Sequence, residues 1–150
     1  MFITIDISEF DINYIFYQEK VKNTVMDNSN FSRILYSNSL FTINGIFIKF
    51  SVSLTNIEKI YNKYKCSFDS KNIDNYNVTS KIKLIENHIL RTCNYTNKTP
   101  IYRITEQLNN NYLKVFNDKT HKENNDFILK IYGIWDTDHE YGVTYKFIAL

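Results

Sequence analysis

Leu40-Phe-Thr-Ile-Asn-Gly-Ile-Phe-Ile-Lys-Phe-Ser-Val-Ser-Leu54 carries the strongest local signal in the chain. Asn44-Gly45 separates two runs rich in β-branched and aromatic residues. An Asn-Gly pair suits a two-residue type I′ turn, because both of its positions need positive φ. That turn predicts a hairpin pairing Ile43 with Ile46 and Phe41 with Ile48. Alternation then sends Ile46, Ile48, Phe50, Val52 and Leu54 to one face of the sheet and Phe47, Lys49, Ser51 and Ser53 to the other. The first face is core. The second is either a binding face or a solvated one.

Working outward, strands are expected at Phe2–Ile7, Ile12–Tyr17 and Phe31–Tyr36, with residues 18–30 a polar loop or weak helix. Thr55-Asn-Ile-Glu58 has the form of a capping box and predicts a helix to about Cys66, with Ile57, Ile60, Tyr61 and Tyr64 as its apolar stripe. A second helix is expected from Thr79 or Ser80 to about Cys93, where Ile82, Ile85, Ile89 and Cys93 follow helical spacing. Ile101–Thr105 and Tyr112–Asn117 read as strands, and residues 118–126 as a hydrophilic loop. A second long hairpin closes the chain: Phe127–Trp135, a polar tip Asp136–Glu140, and Tyr141–Leu150. With no linker and no internal repeat, residues 1–150 read as a single domain, mostly β or α+β and mainly antiparallel, with one or two helices between strands.

Composition narrows the function classes. The 150 residues include 43% hydrophobic and 23% charged side chains, with three glycines and one proline, which excludes collagen-like and wholly disordered chains. No apolar run approaches the roughly 20 residues that span a bilayer. Met1-Phe-Ile-Thr-Ile-Asp lacks the basic n-region and apolar h-region of a signal peptide, so an intracellular location without a membrane partner is expected. Asn, Ile, Lys, Tyr and Phe abound, Ala149 is the only alanine, and Arg33, Arg91 and Arg103 are the only arginines. This bias follows codon composition in an AT-rich genome. The formal charge is only +2, but it is unevenly spread. Residues 1–19 hold Asp6, Glu9, Asp11 and Glu19 and no lysine or arginine. Residues 20–66 hold seven basic side chains against Asp27 and Glu58, so a positive face can form.

Chemical motifs are sparse. Cys66 and Cys93 match neither a zinc pattern nor Cys-x-x-Cys and read as reduced structural thiols. The tip Asp136-Thr-Asp138-His139-Glu140 crowds metal-type ligands but lacks the glycine and terminal glutamate of a calcium loop; it reads as a solvated turn. A small metal-dependent enzyme using Asp136, Asp138 and His139 is the reading of last resort. No Gly-rich phosphate loop, Gly-x-Ser-x-Gly or zinc-deaminase pattern occurs, and neither catalysis nor a cofactor is expected. The aromatic content, 16%, is the strongest chemical feature. Phe47 shares a strand face with Lys49, and Tyr132 shares one with Lys130 and Ile128. Rings that stack bases beside lysines that follow phosphates are what single-stranded nucleic-acid binding requires.

Three strings carry a resemblance: Lys22-Asn-Thr-Val-Met-Asp-Asn-Ser-Asn-Phe-Ser-Arg-Ile-Leu-Tyr-Ser37, Phe41-Thr-Ile-Asn-Gly-Ile46, and Gly133-Ile-Trp-Asp-Thr-Asp-His-Glu-Tyr-Gly-Val-Thr-Tyr-Lys-Phe147. Together they resemble single-stranded DNA-binding proteins of giant nucleocytoplasmic large DNA viruses, which are similar to phage replication single-stranded DNA-binding proteins with an OB fold. The resemblance implies an antiparallel OB-like β-barrel with helices inserted between strands. It implies a protein that coats displaced DNA strands in viral replication or recombination, in the host cytoplasm (at the viral factory) or in the nucleus. Single-stranded DNA is the expected partner; replication proteins and further copies of the chain are additional candidates. Tyr36, Phe47, Tyr132 and Trp135 are the expected stacking residues, and Arg33, Lys49, Lys130 and Lys146 the expected phosphate contacts. The alternative is a structural or assembly protein that binds other proteins through aromatic-rich strands.

Overall fold

A computed structural model describes residues 3–116 and 125–150. Most of the expected 118–126 loop therefore lies outside the described residues. The elements in chain order are β1 (Ile5–Asp6), a single 3₁₀ turn (Ile12–Tyr14), β2 (Ile15–Tyr17), β3 (Val21–Lys22), β4 (Asn30–Ser37), β5 (Thr42–Asn44), β6 (Ile46–Ser51), β7 (Leu54–Ile60) and β8 (Lys63–Phe68). They continue with α1 (Ile73–Thr92), β9 (Thr99–Ile101), α2 (Arg103–Asn109), β10 (Tyr112–Val115), β11 (Asp126–Asp136) and β12 (Glu140–Ala149).

The described residues are mostly β, as expected, with two α-helices, but the sheet is mixed. Strands run in the order β1-β6-β11-β12-β10-β8-β7, and β2, β3 and β5 attach through β4. β1 lies parallel to β6, and both β9 and β10 lie parallel to β12. Among the described residues no ladder joins β1 to β7, so the path is not closed into a barrel.

The expected final hairpin is present and forms the spine of the sheet. The first part of β11 pairs with β6 and its last part with β4, while β12 pairs along its other edge. A bulge at Tyr132 makes this change of partner possible, because an extra residue bends and twists the strand. Gly133 follows immediately where β4 crosses. A Cβ there would run into the Ser32 carbonyl oxygen and the Phe31 ring.

The Asn44-Gly45 reading needs correction. β5 pairs with β4, and β6 pairs with β11 and β1, so the two runs do not form a hairpin with each other. Only Gly45 has positive φ, at 88°; Asn44 does not, and a type I′ turn needs both. The pair is instead a corner between strands. The face assignment of the second run stands: Ile46, Ile48, Phe50 and Val52 are buried.

The helix expected at 55–66 is the β7–β8 hairpin. Ile57 pairs with Cys66 and Leu54 with Phe68, so the same apolar residues satisfy a period of two. The helical reading required Tyr61 on the buried stripe, yet its side chain is 93% exposed. The second helix begins earlier than expected. Asn72 caps it by accepting from the backbone N–H groups of Asp74 and Asn75, whereas Thr79 is mid-helix and donates its hydroxyl to the Asn75 carbonyl. Residues 103–109 are helical where a strand was expected over 101–105. Buried Glu86 of α1 explains the difference, since it accepts from the N–H groups of Ile104 and Thr105.

Both helices lie on one side of the sheet. Ile82, Ile85, Ile89 and Leu90 of α1 and Ile104 and Leu108 of α2 join the inward residues of β6, β8, β10, β11 and β12 in a continuous core. Cys66 lies within this core as a free thiol, and Cys93 is a half-buried free thiol at the end of α1. Among the described residues no helix is long and apolar enough to cross a membrane. The sheet face turned away from this core carries the candidate site, and the first residue of α2, Arg103, reaches its edge.

Candidate nucleic-acid interface

Strand register determines which side chains share the face turned away from the core. Phe47 of β6 lies opposite Lys130 of β11, which lies opposite Lys146 of β12. Val115 pairs in parallel with Phe147, which sets Lys114 of β10 beside Lys146. Lys114 in turn lies opposite Lys65 of β8. One row running across five adjacent strands therefore reads Phe47, Lys130, Lys146, Lys114, Lys65. Like charges directly opposite each other across strands destabilise a sheet by a few tenths of a kcal/mol or more. The row is a cost to the fold that packing does not require.

Aromatic rings alternate with these cations. The Lys130 ammonium lies 5.1 Å from the Phe47 ring centroid and 4.5 Å from that of Tyr132. Lys146 and Lys63 flank the half-exposed Phe116 ring at 5.5 and 4.9 Å, and Lys65 lies 5.0 Å from Tyr112. Cation–π attraction is modest at such exposed sites, but it keeps the ammonium groups above the sheet. Among the described residues, the ion pairs within 4 Å are those of Asp136 with Lys20 and Lys98. Among the described residues none of the row lysines makes such a pair. Acidic groups on this face stand at its margins: Asp6 beside Lys49, Glu58 opposite Lys65, and Asp126 opposite Ser51.

The Phe47 end of the row opens into two adjoining depressions. The smaller, about 210 Å³, is bounded by Phe31, Arg33, Phe47, Lys130 and Tyr132. The larger, about 710 Å³, shares Phe31, Arg33 and Tyr132 and continues to Trp135 and Arg103 beneath the Val21–Met26 segment. The Arg103 guanidinium lies 4.9 Å from the Trp135 ring centroid. Two of the chain's three arginines thus meet in one aromatic-lined cleft, and neither pairs with a carboxylate among the described residues.

Of the eight residues expected from sequence, Arg33, Phe47, Lys130, Tyr132 and Trp135 converge on these depressions. Lys146 continues the row, and Lys49 stands on the same face two register pairs away. Phe47 and Trp135 are largely buried, so they form walls; Tyr132 is the more accessible ring. Trp135 also has a buried indole N–H without a hydrogen-bond partner among the described residues.

Tyr36 is the correction. It is buried among Phe10, Tyr14 and Phe41 on the part of β4 that pairs with β2 and β5. The β4 strand alternates, and Tyr36 falls three residues from Arg33, on the opposite side. No base can reach its ring.

Sequence reading missed Phe31, Lys63, Lys65, Arg103, Lys114 and Phe116. Lys63 and Lys65 were hidden by the mistaken helix, and Lys114 shows its place only through register. Arg103 had a usable signal, since arginine is rare in a chain so rich in lysine. The acidic tip is corrected at its first residue: Asp136 is fully buried, whereas Asp138, His139 and Glu140 are exposed as in a solvated turn. It accepts from Tyr95 Oη at 2.6 Å, Lys98 Nζ at 3.0 Å and Asn30 Nδ2 at 3.1 Å, tying β11 to β4 and to the loop before β9. Burial pushes its carboxyl up, but these hydrogen bonds and nearby Lys20 outweigh that and hold it below the ordinary aspartate value. Among the described residues no three His, Cys, Asp or Glu side chains are grouped to hold a metal.

Comparison of the chain with protein-family models, with curated proteins and with solved structures found no match.

Proposed function

We propose that this protein binds single-stranded nucleic acid with little sequence preference, DNA being the strand that the resemblance favours. The observation that carries the reading is the row of four lysines on adjacent strands, none in an ion pair within 4 Å among the described residues, that leads into the Arg33–Tyr132–Arg103 cleft. Phosphates follow the row and bases enter the cleft. Base stacking tolerates any sequence because every base has a π-face, and lysine contacts read charge alone. Replication or recombination of viral DNA is the setting that the resemblance attaches to this chemistry. An OB-like descent belongs to the same proposal. It is supported by β4, which pairs with β11 through Asn30–Arg33 and with β2 and β5 through Ile34–Ser37, as strands do where sheets turn corners.

Substitution at the cleft tests the proposal. Tyr132→Ala should weaken binding of oligo-thymidine by roughly 5- to 100-fold, the value of one stacked base, while thermal stability changes little. Arg33→Gln should weaken it by a smaller factor. Tyr36→Phe, which removes only the hydroxyl that accepts from the Asp11 N–H at 3.3 Å, should bind as the wild type does. Anisotropy titrations in which Tyr132→Ala binds as tightly as wild type would remove the cleft from the binding site.

A further inference from the structure

The β7–β8 hairpin ends on a residue that is poorly suited to its backbone. Ile60 pairs with Lys63, so Tyr61 and Asn62 form the two-residue turn. Tyr61 has φ of 56°, in the left-handed region where a Cβ crowds the following carbonyl. Glycine, asparagine or aspartate usually fills such a position in a tight hairpin. This chain is rich in asparagine, yet places Asn62 one residue late. Packing does not compensate, because the Tyr61 side chain is 93% exposed. A bulky side chain held in a strained conformation and presented to solvent is a reason to look for function.

Its surroundings indicate which function. Ile60, Tyr61, Lys63, Lys65 and Lys114 border a depression of about 320 Å³. Lys65 and Lys114 are the last two members of the lysine row, and Lys63 shares the Phe116 ring with Lys146. The hairpin tip therefore stands at the end of the row away from the cleft. We propose that it is a second single-strand contact, in which the Tyr61 ring stacks on a base as the strand leaves the row and Lys63 and Lys65 hold the adjoining phosphates. This rests on the single-strand reading above and extends it from one stacking site to two. Three inter-strand spacings, roughly 14 Å across the strands, separate β11, which carries Tyr132, from β8, which leads out of the tip.

The test uses the full-length protein and oligo-thymidine of about 12 residues at low salt. Tyr61→Asn removes the ring and gives the turn a residue that accepts positive φ. Its melting temperature should equal or exceed that of the wild type, while its affinity should fall about 5- to 100-fold. Tyr61→Trp should retain affinity, and its exposed indole should lose emission as DNA is added, over and above any change from Trp135. Wild-type binding with undiminished affinity in Tyr61→Asn, and unchanged emission in Tyr61→Trp, would overturn the tip contact and leave the cleft reading intact. Failure of the wild type to bind the oligonucleotide would overturn both.

Discussion

Asp136 shows how much one side chain can hold together. Its carboxylate is fully buried and joins Asn30, Tyr95 and Lys98, three residues that sequence reading had no reason to connect. Because its carboxyl lies below the ordinary aspartate value when folded, the unfolded chain binds the proton more readily. The stabilisation is thus fully present above the unfolded value near 4 and is lost as pH falls through the folded one. Asp136→Asn should lower stability at neutral pH by roughly 2–4 kcal/mol and should flatten the acid limb of a stability–pH curve. Urea titrations between pH 3 and 7 would show this, and an unchanged acid limb would mean that Asp136 is not the group being titrated. The motif containing it looked like a solvated turn because sequence displays neighbours along the chain. Its true partners lie 38, 41 and 106 positions away.

At the scale of elements, the β6, β11 and β12 strands were legible because alternation acts locally. Which strand each one meets was not legible. Asn44-Gly45 carried a hairpin signature, yet β5 and β6 leave it for different partners, a choice made by β4 and β11 far along the chain. The β7–β8 segment fits either a helical or a two-residue period, and pairing of β8 with β10 decides for strand. α2 owes its start to Glu86 on another helix. The lysine row depends on the same long-range register and makes a prediction with two opposite signs. Lys146→Thr relieves the repulsion facing Lys130 and places a β-branched residue in a strand. The melting temperature should rise by about 1–2 °C, while single-strand affinity falls several-fold. Loss of stability together with loss of binding would mean that the row is structural.

At the scale of the whole molecule, the two sides of the sheet have different work. One is closed by α1 and α2 over a continuous apolar core. The other keeps Lys49, Lys65, Lys114, Lys130 and Lys146 on one surface, although the formal charge of the chain is only +2. The modest net charge therefore hid a strongly one-sided distribution, which alternation could assign strand by strand but not assemble. Five of the eight residues picked from sequence meet at the cleft because each was chosen as an aromatic or a cation on an outward strand position. Tyr36 failed because β4 changes sheets partway along its length, and no local pattern marks that point.

The central claim is single-strand binding through this face, and salt tests it most directly. Fluorescent oligo-thymidine and a matched duplex would be titrated with the protein from 50 to 200 mM salt. Engagement of about four phosphates predicts a slope of log K against log salt near −3, or roughly a 50-fold loss of affinity over that range. The single strand should bind more tightly than the duplex throughout, because only its bases are free to enter the cleft. No binding at 50 mM salt, or equal binding of the two forms, would contradict the account.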